Sequence, residues 1–384
     1  MKIPIRYNLG SLWARRTSTL MAVLGIGFTV AIFVTMMALV HGLDSTFVET
    51  GQENQLVVIR QGSQNEVNSY FTRELFTTVK FLPGITKGPD GEPLIVGDNV
   101  VIINHERLSG QASNLMVRGT SGAGLPLRPE VKLVEGRWFK PGLREICASR
   151  SMSRRFRNLA LGDTIHFARS DWKVVGIFDA DGTAYDSEVW ADYGEICQDW
   201  DRPSYSSILL KTETAAAAED IRKRIADDRR INLQAIPQKK YYADQTNTSA
   251  GIKALGYFIA VILGIGASFA AMNMMYGAVM TRSKEVATLR ALGFRRRSIL
   301  GSFLMESVIL GLAGGLLGCA LALPLHGISS ATANFQTFSE VLFNFRITPA
   351  ILMRGLIYAA VVGALGGYLP ARRAARAKLI DIMR

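Results

Sequence analysis

Apolar and polar positions divide this chain into two kinds of segment. Leu20 to Val40 (LMAVLGIGFTVAIFVTMMALV) runs 21 residues without a charge, and at helical rise it reaches about 31 Å, the thickness of a bilayer's hydrocarbon core. Three more runs stand in the C-terminal third: Leu255 to Met280, Ile299 to Leu325 with Glu306 and Pro324 inside it, and Ile351 to Leu369 with Arg354 near its start. Buried helices of soluble domains carry apolar stretches of only about 10 to 14 residues. The pattern therefore predicts four transmembrane helices, at 20–41, 255–280, 299–325 and 351–370. The first run is too long for the apolar region of a secretory signal peptide and lacks its cleavage site, so it is expected to stay as an anchor.

Residues 42–254 alternate instead, as a folded α+β domain does. Strands are predicted at Gln55 to Arg60, Leu94 to Asn104, Asn114 to Gly119, Glu145 to Ala148, Thr164 to Ala168, Trp172 to Phe178 and Ser206 to Lys211, rich in β-branched residues and bounded by Gly, Pro, Asp and Asn. Helices are predicted at Asn68 to Lys80, Ser151 to Leu159 and Thr214 to Arg230. From Pro237 to Lys253 a polar stretch runs into the second span as a helical stalk. Trp138, Trp172 and Trp190 are expected to pack in the core rather than line a ligand box.

Charge fixes the orientation. The block 42–254 holds 27 Lys/Arg and 28 Asp/Glu, so the net +12 of the chain comes from the segments around the spans. Lys2, Arg6, Arg15 and Arg16 precede span one; Arg282, Lys284, Arg290 and Arg295–Arg297 separate spans two and three; Arg372, Arg373, Arg376, Lys378 and Arg384 follow span four. The positive-inside bias places both termini and the Arg-rich loop in the cytoplasm, and the large block with the 326–350 loop outside. A basic pI of this origin points to membrane flanks and not to nucleic acid.

Motifs for chemistry are missing. The sequence has no GxxxxGK[ST], GxSxG, HExxH or CxxC, and its four His residues stand far apart. No catalytic, cofactor or metal residue is expected. Gly119, Gly122 and Gly124 are expected in a surface turn, and Asn247-Thr-Ser matches a glycosylation triplet that is common by chance. Cys147 and Cys197 fall in the external block, and the sequence leaves a disulfide between them open.

The loop after span two offers more. In RSKEVATLRALGFRRR, Val286, Leu289 and Leu292 are three apart, so 283–292 can form a short amphipathic helix capped by Gly293. Such a helix serves either as a polybasic anchor on anionic lipid or as a docking helix for a soluble partner. Small residues recur four apart in the spans: Gly264 with Ser268, Gly311 with Gly315, Gly363 with Gly367. They predict close helix packing, within the chain or across a dimer. Glu306, inside span three, must face protein or water, and a packing or hydrogen-bonded role is preferred to proton relay.

At this point the chain resembles the permeases of the MacB/FtsX-like ABC transporter family, of the mechanotransmission (type VII) architecture. The resemblance rests on RSKEVATLRALGFRRRSIL from Arg282, continuing through FLMESVILGLAGGLLG, on PARRAARAKLIDIMR from Pro370, and on VEGRWF, LGDTIHF and KVVGIF in the large block. N-terminal MKIPIRYNL is similar to a short amphipathic helix preceding span one. The implied fold is a membrane α-helical chain of four transmembrane helices with a large α+β extracytoplasmic domain inserted between helices 1 and 2. Its parts would be 1–19 amphipathic segment, 20–41 helix, 42–254 MacB-like periplasmic domain with stalk, 255–280 helix, 281–298 coupling loop, 299–325 helix, 326–350 external loop, 351–370 helix and 371–384 basic tail.

The resemblance further implies a bacterial inner-membrane dimer, of itself or with a related permease, bound to a separate ABC ATPase that carries the ATP and Mg. A periplasmic adaptor and membrane lipids are further implied partners. Lys284, Glu285, Leu289, Arg290, Leu292 and Gly293 would contact the ATPase, with Arg372 and Arg373 at the end of the last span. The implied function is to couple ATP hydrolysis to the outer domain for export or extraction of a hydrophobic or peptide-like substrate. The alternative is an FtsX-like transmembrane signalling subunit that activates a periplasmic or cell-wall enzyme.

Overall fold

The computed structural model describes residues 16–228, 230–246, 250–334, 337 and 339–376. The expected amphipathic segment before Arg16, the Asn247 triplet and the tail beyond Arg376 lie outside the described residues. The chain divides into two compact units: a helical one, up to His41 with Gly251–Ile328 and the residues from Phe345, and a mixed one, Gly42–Ala250 with Ser329–Asn344.

Helix α1 (Arg16–Thr50) contains the first apolar run and continues nine residues past position 41. Its end is held by packing, because Phe47 belongs to the core of the mixed unit. That unit then contains β1 (Gln55–Arg60), α2 (Arg73–Lys80), β2 (Ile95–Glu106), β3 (Ala112–Thr120), β4 (Lys132–Gly136), β5 (Glu145–Ser149), the one-turn α3 (Arg150–Ser153), β6 (Thr164–Phe167) and β7 (Ser170–Asp179). It continues with β8 (Glu188–Asp192), α4 (Tyr193–Asp199), β9 (Ser207–Lys211), α5 (Ala215–Asp227), β10 (Leu233–Pro237) and α6 (Gln238–Thr246).

The strands form one path in the order β10-β1-β9-β2-β3-β8-β5-β7-β4, with β6 on β7. The pairs β3–β8 and β5–β7 are parallel, the others antiparallel. β2 is long because it serves two neighbourhoods: Ile95–Asp98 pair with β9, and Asn99–Glu106 pair with β3. Trp172 and Trp190 are fully buried, and Trp138 stacks on Trp190 and Phe178.

Two predicted helices shrink for local reasons. Asn68 to Phe71 does not join α2, because Phe71 bridges to Tyr205 through two 2.9 Å backbone hydrogen bonds. The run Ser151 to Leu159 yields only one helical turn, and Asn158 has a positive φ (55°) that no helix accepts. The glycine cluster is a surface turn only at Gly122, which is exposed at the start of the short 3-10 helix Gly122–Leu127. Gly119 lies buried in β3 against Ile196, and Gly124 is buried under the Arg128 side chain. Cys147 and Cys197 are buried free thiols in different cores, so the open disulfide is not formed.

The helical unit is built from α1 with α7 (Ala250–Thr281), α8 (Ser283–Ala291), α9 (Arg296–Ala322) and α10 (Pro349–Arg376). Four helices among the described residues are long and apolar enough to cross a membrane: α1, α7, α9 with its terminal turn, and α10. Close backbone approach joins α9 to α10. A methyl group on Gly311 would lie 2.5 Å from the Ala359 carbonyl and 3.1 Å from Gly363 Cα, and Gly315 faces Ala359 Cβ. Gly363 and Gly367 receive Ser307, whose hydroxyl donates to the Gly363 carbonyl. Ser268 bonds to the Gly264 carbonyl at 2.7 Å, and Gly264 meets the Tyr358 hydroxyl of α10. All six small residues singled out in the sequence thus touch helices of their own chain. Between α9 and α10 the residues expected as a simple loop form the hairpin β11 (Ser329–Ala333) and β12 (Glu340–Asn344), which clusters with the mixed unit.

Candidate functional site

Helix α8 owes its position to three local features. It follows α7 after a single residue, Arg282. Its far end closes with Gly293 at φ +89°, the Phe294 N–H reaching the Leu289 carbonyl (3.1 Å) and the Gly293 N–H reaching Arg290 (3.1 Å). That double closure stops the helix with a left-handed glycine, as the sequence predicts. One apolar core then gathers Met275, Ala278 and Val279 of α7, Val286 of α8, Ile299, Phe303 and Leu310 of α9, and Ala371, Ala374 and Ala375 of α10.

This core divides the expected apolar ridge. Val286 is buried among the spans, Leu289 is half-buried, and Leu292 stands 67% exposed. Lys284, Glu285 and Thr288 are exposed beside it, and Arg290 is half-exposed. The outward surface of α8 therefore carries one large, well-exposed apolar side chain, Leu292, among polar ones. Arg372 and Arg373 stand on the exposed side of α10 next to the same core, and Arg373 lies over the Tyr276 ring at 5.8 Å.

The central ion pair was not legible in the sequence. Arg282 donates from Nη1 to Glu306 Oε2 at 3.1 Å and from Nε to Glu285 Oε2 at 3.2 Å. Both Arg282 and Glu306 are buried, and the guanidinium also faces the Phe303 ring at 5.9 Å. Glu306 lies eleven residues into α9, yet Arg282, twenty-four positions earlier, supplies the counter-charge. Removing one partner of such a buried pair costs about 3–5 kcal/mol, because the other charge is left unpaired. The arrangement ties the start of α8 to α7 and α9.

The mixed unit holds a second group of charges that the sequence reading missed. Arg118 of β3 is enclosed by three carboxylates, with bonds to Glu188 (2.7 Å twice), Glu66 (3.0 Å twice) and Asp98 (3.0 Å). Arg128 pairs with Asp98; its Nε and Nη1 carry no hydrogen bond, and the Tyr185 and Trp190 rings lie 5.3 and 5.4 Å from its Cζ. Burial pushes the Glu66 carboxyl up, but the Arg118 charge and the bonds from Arg118 and Ser207 overcome it and hold Glu66 below the usual carboxylate range. A cavity of about 40 Å³ lies against Arg118, Glu66 and Glu188, walled by Phe47, Tyr241 and Tyr242. Among the described residues no group of three His, Cys, Asp or Glu is arranged to hold a metal ion.

Comparison with known proteins gives the class. Residues 19–228 match the MacB-like periplasmic core domain, and residues 257–379 match the FtsX-like permease C-terminal region. The chain belongs to the MacB/FtsX-like family of ABC transporter permeases. It is a multi-pass membrane protein with an extracytoplasmic domain, the mixed unit.

It is 22% identical over 402 residues to the uncharacterized ABC transporter permease YknZ of Bacillus subtilis, covering 99% of this chain and 98% of that one. It is 23% identical over 382 residues to the macrolide export ATP-binding/permease protein MacB of Pasteurella multocida, covering 90% of this chain but 56% of that protein. The chain thus spans little more than half the length of that relative. The solved periplasmic region of MacB from Actinobacillus actinomycetemcomitans aligns at a TM-score of 0.39 and 11% identity, over 50% of this chain and 92% of that one.

Proposed function

We propose that the chain is the non-catalytic membrane subunit of an ABC transporter complex, and that α8 is the helix through which a separate ATPase acts on it. The supporting observation is the attachment of α8. It is fixed to α7, α9 and α10 by one apolar core and to Glu306 by Arg282, while Lys284, Thr288 and Leu292 remain exposed. A surface helix bound this firmly to three spans transmits displacement instead of absorbing it.

ATP and Mg belong to the partner chain in this reading, and α8, Arg372, Arg373 and both termini face the cytoplasm. The work serves export or extraction of a hydrophobic or peptide-like substrate at the external domain. The relatives named for macrolide export are consistent with that substrate class.

The test is capture of ATPase subunits from the same genome by the chain in nanodiscs, followed by ATP hydrolysis. Wild type is expected to bind and modulate one ATPase, while Leu292→Asp and Arg290→Glu bind more weakly with unchanged thermal stability. Capture that ignores both substitutions would refute α8 as the docking helix and leave it a lipid anchor.

A further inference from the structure

The hairpin β11–β12 is joined by chain to α9 on one side and α10 on the other, yet it belongs to the external domain. One side chain stands out in its attachment. Glu340, the first residue of β12, is buried, and its Oε2 accepts from Arg107 Nε at 2.9 Å and Ser113 Oγ at 3.0 Å. Arg107 Nη2 lies 2.6 Å from the same oxygen, and Arg155 Nη2 lies 3.1 Å from Oε1 as an ion-pair contact.

The neighbouring residues continue the attachment. Val341 and Leu342 enter two different cores of the domain, and the Leu342 N–H donates to Ser187 Oγ at 2.9 Å. Asn334, in the turn of the hairpin, accepts no slack either: its side chain reaches Gln245 of α6 at 3.3 Å. Arg107 directly follows β2, and Arg155 follows α3, with the Leu108 N–H bonded to the Arg155 carbonyl at 2.8 Å. The two arginines are thus braced against each other before they meet Glu340.

We propose that Glu340 is a positioning residue, an anchor through which the paired spans α9 and α10 pull on the external domain, with Arg107 and Arg155 as its fixed points. The physical case is one of strength. A surface ion pair of two flexible side chains carries almost no load. A buried carboxylate held by two partly exposed arginines and a hydroxyl cannot be withdrawn without losing both ion pairs and stripping the buried charge of its partners. The spans on either side are themselves joined by close glycine contacts at Gly311 and Gly363, and the chain of each runs directly into the hairpin. This anchoring role rests on the coupling function proposed above.

The experiment uses the full chain in nanodiscs and hydrogen exchange at the hairpin amides. In wild type, Val341, Leu342 and Phe343 are expected to be protected by their pairing with Thr332, Ala331 and Ser330. Glu340→Ala should speed their exchange about a hundredfold, with β2–β3 unaffected, and Glu340→Gln, which keeps the shape and loses the charge, should fall between. Unchanged hairpin protection in Glu340→Ala overturns the clamp.

A second arm adds the ATPase captured by wild type and a non-hydrolysable ATP analogue. Glu340→Ala should bind and modulate that ATPase as wild type does but lose most of the nucleotide-dependent exchange change in the external domain. A full response in Glu340→Ala overturns the anchoring role. A wild type whose external domain ignores nucleotide overturns the coupling function and the load path with it, while the first arm still decides the clamp.

Discussion

Arg118→Met tests how the external domain is held together. The substitution keeps the length of the side chain and removes the one cation that contacts Glu66, Asp98 and Glu188 together. Arg128 stays, paired with Asp98, so two carboxylates, Glu66 and Glu188, lose their counter-charge in a largely buried site. Stranding buried charge in this way costs about 3–5 kcal/mol, and for a domain of this size each kcal/mol lowers the melting temperature by about 2–4 °C. The expected loss is about 6–20 °C.

Tryptophan fluorescence of the full chain in detergent reads it directly. Four of the five tryptophans lie in the domain, at 138, 172, 190 and 200, and the Trp190 indole donates to Glu188 at 2.8 Å. Arg222→Met, which breaks an exposed pair with Glu219, is the control and should move the midpoint by less than about 2 °C. An equally small shift for Arg118→Met would refute the claim that this cluster carries stability.

Acid should act in the same direction. Glu66 is held below its ordinary pKa in the folded state, so its contribution is complete above the unfolded value near 4.3 and is lost as pH falls through the depressed one. The Arg118→Met chain should lose that acid limb.

Three further outcomes follow from the geometry. Gly311→Leu should cost about 2 kcal/mol or more and lower the yield of folded chain in detergent, since even a first carbon meets the α10 backbone; Gly266→Ala, with open space around it, should be silent. Cys147, whose thiol burial pushes up to about 12, should resist maleimide at pH 8 until the chain is denatured, and intact-mass analysis should find no bond to Cys197. Gly293→Val should fray the end of α8 at a cost of about 1–2 kcal/mol, because a β-branched residue is strained at φ +89°, and should weaken ATPase capture with the spans still folded.

The spans and the long strands were legible because each announces itself by a run of one character: about twenty apolar residues, or a β-branched stretch between turn residues. β8 was missed for the opposite reason. EVWAD begins and ends with acids, and only the fold reveals that Glu188 points inward to Arg118. The same holds for Glu306, whose partner Arg282 lies on another element, and for β11, whose SSATA has nothing apolar enough to mark a strand. Periodicity reports which face of an element is wet; it is silent on pairs of charges that bury each other across elements.

The neighbouring places of β1 and β10 at one edge of the sheet bear on how such a chain could evolve. Leu56 pairs with Pro237, so the two ends of a stretch of some 180 residues stand one strand spacing apart, about 5 Å. An insert whose ends meet can be exchanged, enlarged or trimmed without re-threading the helices that flank it. Glu340 and its hairpin break that modularity. A graft of 51–238 onto another permease would leave behind the carboxylate that Arg107 and Arg155 are built to receive, and a working chimera must move residues 329–344 in the same step.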